Sequence, residues 1–195
     1  MKIIDITQEL FSCNVYPGDI PPTFDRVKTV ENDGYNLTNI ALCVHNGTHI
    51  DAPKHFVAGG KAINELDLSV FYGKCDVIEC DGVISESAIT DIIQNCHERL
   101  LLKGHCELSE SAASILAKSH VKLIGIESQS VGSLNDPRTV HMILLEKGVI
   151  PLEWLDLSNA NTGEYILSAF PINLEGSDGA PVRAALIDIG FVDIL

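Results

Sequence analysis

The stretch CDVIECDGVISESAITDIIQNCHERLLLK, residues 75–103, carries the pattern that decides the fold. It opens with β-branched residues typical of a strand, breaks at an Asp-Gly pair, and continues as a segment in which Ser85 is placed to cap a helix. The strand pattern RLLLK ends it. A second helix, with Ser109 as its cap, then leads to the strand pattern VKLIGI. This alternation over residues 75–126 predicts a βαβ-type element.

The rest of the chain adds strands on both sides of this element. β-branched content and alternation predict them in the segments KIIDIT (2–7), TFDRVKTV (23–30), NLTNIALCV (36–44), VIPLEWL (149–155), EYILSAF (164–170), INLEG (172–176) and VRAALIDI (182–189). A third helix is predicted within residues 135–148, with Asp136 as its cap, Pro137 in its first position and Gly148 at its end. Roughly nine strands and three helices indicate a mixed sheet with a helical layer, α/β or α+β.

The composition is that of an acidic, soluble globular protein. Its 195 residues carry a formal net charge of −14, and the Lys and Arg residues are scattered. This excludes a basic patch for nucleic acid and disfavours anionic membranes. No apolar run approaches the roughly 18 residues of a membrane span, and Asp5 and Glu9 interrupt the N-terminus where a secretory signal would be apolar. We therefore expect one cytoplasmic domain over residues 1–195 that acts on a small molecule.

Six cysteines stand at positions 13, 43, 75, 80, 96 and 106, and none forms a C-x-x-C pair. In a cytosolic chain this favours reduced thiols, several of them buried. None has a sequence setting that marks a nucleophile.

The segment HNGTHIDAPKHF, residues 45–56, concentrates three histidines and one aspartate. A helix would stack His45 on His49, but the glycine, threonine and proline of this segment oppose a helix. In an extended chain, His45, His49 and Asp51 point to the same side. Two imidazoles and a carboxylate can bind Zn²⁺ or Mn²⁺ and leave a coordination position open. His55, beyond the proline, is suited to move protons beside such a site because its pKa is near neutrality.

Two other interpretations of this segment remain open at this point. The histidines could be ordinary surface or core residues, or they could form a closed structural metal site. Structural zinc usually recruits cysteine, and Cys43 lies close enough in sequence to be an alternative ligand.

The same residues resemble the cyclase family of metal-dependent hydrolases, which includes bacterial kynurenine formamidase and isatin hydrolase. The family signature H-x-G-T/A-H-x-D-x-P-x-H matches HNGTHIDAPKH throughout. Similarity continues in YPGD (16–19), LIGIESQSV (123–131), VHMILLEKGVIPLEWL (140–155) and PINLEGSDGAPVRAALI (171–187), and therefore extends over most of the chain.

The resemblance implies a role for each matching residue. His45, His49 and Asp51 correspond to metal ligands, and His55 to the catalytic histidine. His141 corresponds to a ligand of a second metal. Glu153 corresponds to a carboxylate that bridges two metals together with Asp51.

The family also implies a fold and a function. The fold is a mixed α/β, swivelling β/β/α domain, and the protein is a homo-oligomer, either a dimer or a tetramer. The cofactor is a divalent metal, two Zn²⁺ per chain with Mn²⁺ as an alternative. The activity is amide hydrolysis by a metal-activated water, with arylformamidase (N-formylkynurenine to kynurenine and formate) as the lead reaction. A cyclic amide hydrolase and a non-catalytic metal-binding protein are the alternatives.

Two segments depart from the formamidase pattern. Tyr16 stands where kynurenine formamidases commonly have Trp, and residues 127–130 read ESQS where D-T-P-S is typical. We expect Tyr16 to contact substrate, with a pocket of altered width and hydrogen bonding. These departures leave the hydrolytic residues untouched but affect which amide is bound.

Overall fold

The computed structural model of the protein describes residues 1–190. Within them the strands are β1 (Lys2–Asp5), β2 (Thr23–Lys28), β3 (Leu37–Ala41), β4 (His49–Asp51), β5 (Tyr72–Glu79), β6 (Gly82–Ile84), β7 (Arg99–Lys103), β8 (Cys106–Leu108), β9 (Leu123–Ile126), β10 (Ile150–Glu153), β11 (Gly163–Ser168), β12 (Gly179–Pro181) and β13 (Ala185–Asp188). The α-helices are α1 (Val30–Asp33), α2 (Glu86–Ile93), α3 (Glu110–Leu116) and α4 (Arg138–Leu145). Short 3-10 segments span Pro53–His55, Ile63–Glu65 and Leu68–Phe71. The last residues of the predicted domain, 191–195, lie outside the described part.

Nine strands form one sheet in the order β1-β13-β11-β5-β7-β9-β10-β4-β12. Its centre, β5-β7-β9-β10, is parallel, and the strands on either side join it in antiparallel fashion. β2 pairs with β3, and β6 with β8, in two smaller sheets. The predicted mixed α/β class is confirmed.

The βαβ element predicted for residues 75–126 is present, and its helices begin where the sequence indicates. The Ser85 hydroxyl accepts the backbone N–H of Ala88, and the Ser109 hydroxyl accepts that of Ala112. β5, β7 and β9 run parallel. Parallel neighbours need a crossover connection, and α2 and α3 provide it here. Each of these helices packs on the sheet through a buried apolar face.

The central strands are apolar on both faces, as expected of a parallel sheet covered on both sides. Along β7, Leu100 and Leu102 pack against the helices, whereas Leu101 joins the core on the opposite face. Along β9, Ile124 and Leu123 divide in the same way. The two apolar cores therefore hold the sheet in place from both faces. β4 and β10, which carry the polar residues, belong to this same sheet.

Three local predictions were wrong. β3 ends at Ala41, so His45 does not lie on one strand with His49; a turn intervenes, in which the Cys43 N–H binds the Asn46 side chain. The INLEG segment, residues 172–176, forms no strand, because a turn follows Leu174 and Gly176 adopts φ +73°.

The third error concerns the start of α4. Pro137, rather than Asp136, is the N-cap residue, and no side chain caps this helix. The other end is as predicted. The Gly148 N–H binds the Leu145 carbonyl, and φ +79° at Gly148 ends the helical geometry.

The β2–β3 hairpin stands apart from the nine-stranded sheet. Almost all of its residues are exposed, including Phe24 and Ile40. Among residues 1–190 there is no helix long and apolar enough to cross a membrane.

Candidate metal centre

Short elements of different kinds bring the predicted ligands to one end of the sheet. His49 and Asp51 lie on β4, and Glu153, on β10, is the cross-strand partner of His49. His141 comes from the buried side of α4. His45 lies in the turn before β4, where Gly47, with φ +64°, allows the chain to reverse.

The Asp51 carboxylate divides its two oxygens between different histidines. Oδ1 lies 3.0 Å from His45 Nδ1 and 3.4 Å from His49 Nε2. Oδ2 lies 3.2 Å from His141 Nε2, but the angles there do not make a hydrogen bond, and this buried oxygen has no hydrogen-bond partner. A buried carboxylate oxygen without a donor is a position that a bound cation would satisfy.

Glu153 completes the arrangement from the neighbouring strand. Its Oε1 lies 2.9 Å from His141 Nε2 and accepts the Val131 N–H, and its Oε2 lies 3.5 Å from His49 Nε2. We call His49, Asp51, His141 and Glu153 the inner cluster; each of these side chains is at most 5% exposed.

Backbone carbonyls set the orientation of both inner histidines. His49 Nδ1 lies 2.8 Å from the Gly47 carbonyl, and His141 Nδ1 lies 2.6 Å from the Pro137 carbonyl. Because a carbonyl oxygen only accepts, each Nδ1 carries the proton and donates it. In the neutral ring, each Nε2 therefore presents a lone pair to the carboxylates, as a metal ligand does.

The inner cluster is built to hold positive charge. Burial by itself would lower the pKa of His49 and His141, but the hydrogen bonds and charges of Asp51 and Glu153 outweigh burial and raise these pKa values to about 10 and about 11. Burial would raise the pKa of Asp51, yet its close contacts with the three histidines hold that pKa well below its usual range. Two buried carboxylates therefore stay ionised and require cations, either protons or a metal.

Of the three sets of possible metal ligands that the described residues offer here, two overlap at Asp51. One consists of His45, His49 and Asp51, and the other of Asp51, His141 and Glu153. Asp51 belongs to both. The donor set of imidazole nitrogens and carboxylate oxygens suits Zn²⁺ or Mn²⁺. Cys43 belongs to neither set, and its thiol instead lies 3.8 Å from Asp19 Oδ2.

A second pair of histidines lies nearer the surface. His55, in the 3-10 segment Pro53–His55, packs its ring 4.0 Å from that of His45, centroid to centroid. His55 Nδ1 and His45 Nε2 lie 3.2 Å and 3.1 Å from the same oxygen, Oδ2 of Asp178. We call His45 and His55 the outer pair. Burial is the main reason that the pKa of His55 is lowered, so its ring is neutral at pH 7.

Asp178 was not predicted from the sequence. It stands in the SDG tripeptide just before β12, with no histidine near it in sequence and no spacing that points to a site. The pairing of β12 with β4 brings Asp178 next to the histidines.

A cavity of about 230 Å³ opens over these groups. Tyr16, Phe56 and Pro137 provide its apolar walls, and the polar part of the lining includes Gln129 and Ser130. Tyr16, predicted to contact substrate, is therefore placed on the wall, and its hydroxyl lies 3.5 Å from the Leu134 carbonyl. Such a mainly apolar cavity with convergent polar groups is typical of small-molecule sites.

The chain is similar to known proteins along almost its whole length. The Cyclase family model matches residues 4–99. A protein named kynurenine formamidase from Bacillus mycoides is 34% identical over 202 residues, which covers 94% of this chain and 96% of the relative. A kynurenine formamidase from Bacillus cytotoxicus is likewise 34% identical, with the same coverage. The chain belongs to the cyclase family of metal-dependent hydrolases.

Solved structures agree with this membership. A structure described as a potential metal-dependent hydrolase with cyclase activity superposes with a TM-score of 0.81 at 28% identity, covering 95% of this chain and 96% of that one. Isatin hydrolase A from Labrenzia aggregata reaches a TM-score of 0.81 at 20% identity, covering 95% and 93%. The second likeness shows the fold alone. The predicted cyclase-like fold is confirmed. Membership of this family supports a divalent metal as the cofactor.

Proposed function

We propose that the protein is a metal-dependent amidohydrolase that cleaves aryl formamides, with N-formylkynurenine, hydrolysed to kynurenine and formate, as the lead substrate. The observation that carries this proposal is the division of the Asp51 oxygens between two sets of imidazole nitrogens beside a neutral histidine and an aromatic-walled cavity. The name shared by the similar Bacillus proteins supports the choice of substrate.

We assign the ligands of two divalent ions, zinc with manganese as the alternative. His45, His49 and Asp51 would hold one, and Asp51, His141 and Glu153 the other. Bound there, such ions would lower the pKa of a water molecule toward neutrality and polarise a carbonyl. The carboxylates and the oriented imidazoles of the chain fix where this chemistry occurs.

His55 is the proposed acid–base catalyst. Its ring lines the cavity, is neutral at pH 7, and is held by Asp178 through Nδ1, so Nε2 is the nitrogen that accepts a proton. It would take the proton of the attacking water and deliver it to the departing nitrogen as the C–N bond breaks. The products are formate and an aryl amine, which leaves more readily than an alkyl amine.

Tyr16 and Phe56 would hold the aromatic ring of the substrate. Both side chains line the cavity together with the proposed metal ligands, and aromatic walls favour a flat ring through stacking and edge contacts.

A cyclic aryl amide of the isatin type is the second candidate. Gln129 and Ser130 line the cavity, and they belong to the segment that departs from the formamidase pattern. A non-catalytic metal-binding role is the third candidate, and the placement of His55 favours the enzyme over it, because a metal carrier does not need a free imidazole there.

The test of this function is hydrolysis by metal-free protein to which zinc and manganese are returned separately. N-formylkynurenine, N-formylaniline and isatin would each be supplied. Hydrolysis of the formamides with either metal supports the proposal, and hydrolysis of isatin alone moves the assignment to cyclic amides. Metal binding without hydrolysis of any of the three would contradict the catalytic assignment.

We also propose a cytoplasmic homo-oligomer, a dimer or tetramer, that buries an apolar face. On the β2–β3 hairpin, Phe24 and Ile40 are more than half exposed. A groove joins Ile40 to Phe170 and Ile172, and Phe170 stacks on the exposed Tyr72 ring at 6.0 Å. Exposed apolar side chains grouped in this way are typical of an interaction site, and a two-stranded hairpin is marginally stable without cover.

Light scattering on wild type and on Phe24→Ser/Ile40→Ser tests the oligomer. We expect the double variant to be monomeric. Val83→Ser is the control, because Val83 is equally exposed on the separate β6–β8 sheet. A monomeric wild type would contradict the proposal.

A further inference from the structure

One carboxylate oxygen contacts both histidines of the outer pair. Asp178 Oδ2 lies 3.1 Å from His45 Nε2 and 3.2 Å from His55 Nδ1. An ionised carboxylate only accepts, so each of these nitrogens carries a proton and donates it. The opposite nitrogen of the His55 ring, Nε2, is then the one with a lone pair. His45 Nδ1 faces the Asp51 carboxylate at 3.0 Å, so it has a lone pair only where a bound cation takes the place of its proton.

The fold fixes Asp178 in this place. Its backbone carbonyl accepts the N–H of Ala52, 2.9 Å away, and the next residue, Gly179, is paired with Asp51 across β12 and β4. The backbone comes so close to His45 that a Cβ on Gly179 would lie 2.7 Å from its Cε1. Asp178 therefore approaches the imidazoles on rigid backbone rather than on a loose loop.

Asp178 does not touch the cavity. His45 and His55 both line it, whereas Asp178 is absent from the lining in the described part of the chain. It reaches the two rings through His45 Nε2 and His55 Nδ1 from outside the lining of the cavity. This is the placement of a carboxylate that orients an imidazole base.

We infer that Asp178 is a positioning residue that sets the tautomers of both outer histidines at once. By accepting from His55 Nδ1, it leaves Nε2 free toward the cavity to receive a proton. By accepting from His45 Nε2, it directs Nδ1 toward Asp51, whose Oδ1 is 3.0 Å away. His45 would then hold a metal through Nδ1, whereas the inner histidines would present Nε2.

This inference rests on the proposed hydrolytic function. The alternative is that Asp178 is itself a metal ligand. His45, His55 and Asp178 together could themselves hold an ion. A ligand role and a positioning role differ in what the loss of the carboxylate removes. Loss of a ligand removes metal, whereas loss of a positioning residue lowers turnover with the metal still bound.

The test is Asp178→Asn, studied with zinc in excess, alone and combined with His55→Ala. An asparagine keeps the size of the side chain, but its amide can donate as well as accept, so it no longer enforces one tautomer. We expect kcat for N-formylkynurenine to fall about 10–100-fold, with KM and bound zinc little changed. In the His55→Ala background the same substitution should lower kcat much less, because most of its effect on turnover passes through His55.

Glu175→Gln is the matched control. It removes one negative charge three positions away in the same segment, from an exposed side chain. Its kcat, KM and zinc content should equal those of wild type.

Histidine tautomers in the zinc-loaded protein give a readout that needs no activity. Long-range proton–nitrogen NMR correlations should show His55 protonated on Nδ1 and His45 on Nε2 in wild type, and a changed His55 pattern in Asp178→Asn. If wild type hydrolyses no formamide, the proposed function fails while these tautomers still decide the role of Asp178.

Four results would overturn the inference. They are the opposite tautomers in wild type, an unchanged kcat in Asp178→Asn, a loss of kcat that adds fully to that of His55→Ala, and loss of zinc that excess metal does not restore. The last result would make Asp178 a ligand instead.

Discussion

The inner cluster and the outer pair hold their histidines by different means. His49 and His141 each donate Nδ1–H to a backbone carbonyl, and both are almost fully buried. His45 and His55 instead share one side-chain partner, Asp178, which is 44% exposed. The inner orientation is therefore a property of the backbone fold, whereas the outer orientation can be changed by one substitution.

This difference matches the work that we assign to each region. Binding a divalent ion requires ligands whose direction does not fluctuate, and backbone carbonyls directly before β4 and α4 provide that. A proton-transfer group must instead lie next to both water and substrate. The half-buried outer pair meets that need, because His55 lines the cavity and remains neutral.

The largest effect should come from Asp51→Asn, which should disrupt both the inner cluster and the outer pair. Because Asp51 contacts histidines of both regions through different oxygens, its loss should abolish metal binding and activity. We expect a loss of kcat/KM beyond the roughly 10–100-fold that follows removal of a ligand's hydrogen-bond partner. Metal analysis and turnover measure it. Asp76→Asn is the control, since Asp76 also pairs with a histidine but lies on β5, far along the sheet. Full metal content in Asp51→Asn would refute the role of Asp51 as a ligand shared by both ions.

His55→Ala should affect only the outer region. We expect kcat to fall by roughly 10²–10⁴ with metal content unchanged, because a proton-transfer group is lost and no proposed ligand is touched. Steady-state kinetics with metal analysis checks this. His97→Ala removes a histidine of similar exposure that binds Asp76, and it should behave as wild type. Wild-type turnover in His55→Ala would remove His55 from the mechanism.

The pH dependence of metal binding should report on the inner cluster. In metal-free protein the pKa values of His49 and His141 are raised to about 10 and about 11, so both rings carry an extra proton at neutral pH. An ion must displace these protons, so its apparent affinity should rise with pH, by up to about tenfold per unit for each proton released. Zinc titrations between about pH 6.5 and 8.5, in buffers of different ionisation enthalpy, count the protons. An affinity independent of pH would show that the free cluster is not protonated.

The smallest effect should come from the cavity wall. Tyr16→Ala removes an aromatic contact worth about 0.5–1.5 kcal/mol, so KM for an aryl formamide should rise about two- to twelvefold with little change in kcat. Tyr16→Phe keeps the ring and should stay close to wild type, since the hydroxyl contacts the Leu134 carbonyl only at 3.5 Å. An equal loss in both variants would place the effect on the hydroxyl rather than on the ring.

The sequence predicted those parts of the fold that rest on local patterns. The caps at Ser85 and Ser109 and the apolar strands between them need only neighbouring residues to be recognised. β12 was missed, because a three-residue strand containing glycine and proline has no alternation to detect. The polar INLEG segment has the reverse problem: it alternates like a strand but lies in a turn.

The site divides in a similar way. His45, His49 and Asp51 were predicted to converge, and they do, but through a turn at Gly47 rather than along one strand. His141 and Glu153 came from the family resemblance, because nothing in their own spacing links α4 to β10. Asp178 could be found only from the pairing of β12 with β4, which joins residues more than a hundred positions apart.

Metal stoichiometry of the wild-type protein tests the central claim most directly. The purified chain would be loaded with zinc or manganese, freed of excess metal and analysed by mass spectrometry of the bound elements. We predict close to two ions per chain, both lost in Asp51→Asn. A wild-type protein that binds neither metal would contradict the account, since the buried carboxylates of Asp51 and Glu153 would then be balanced by protons alone.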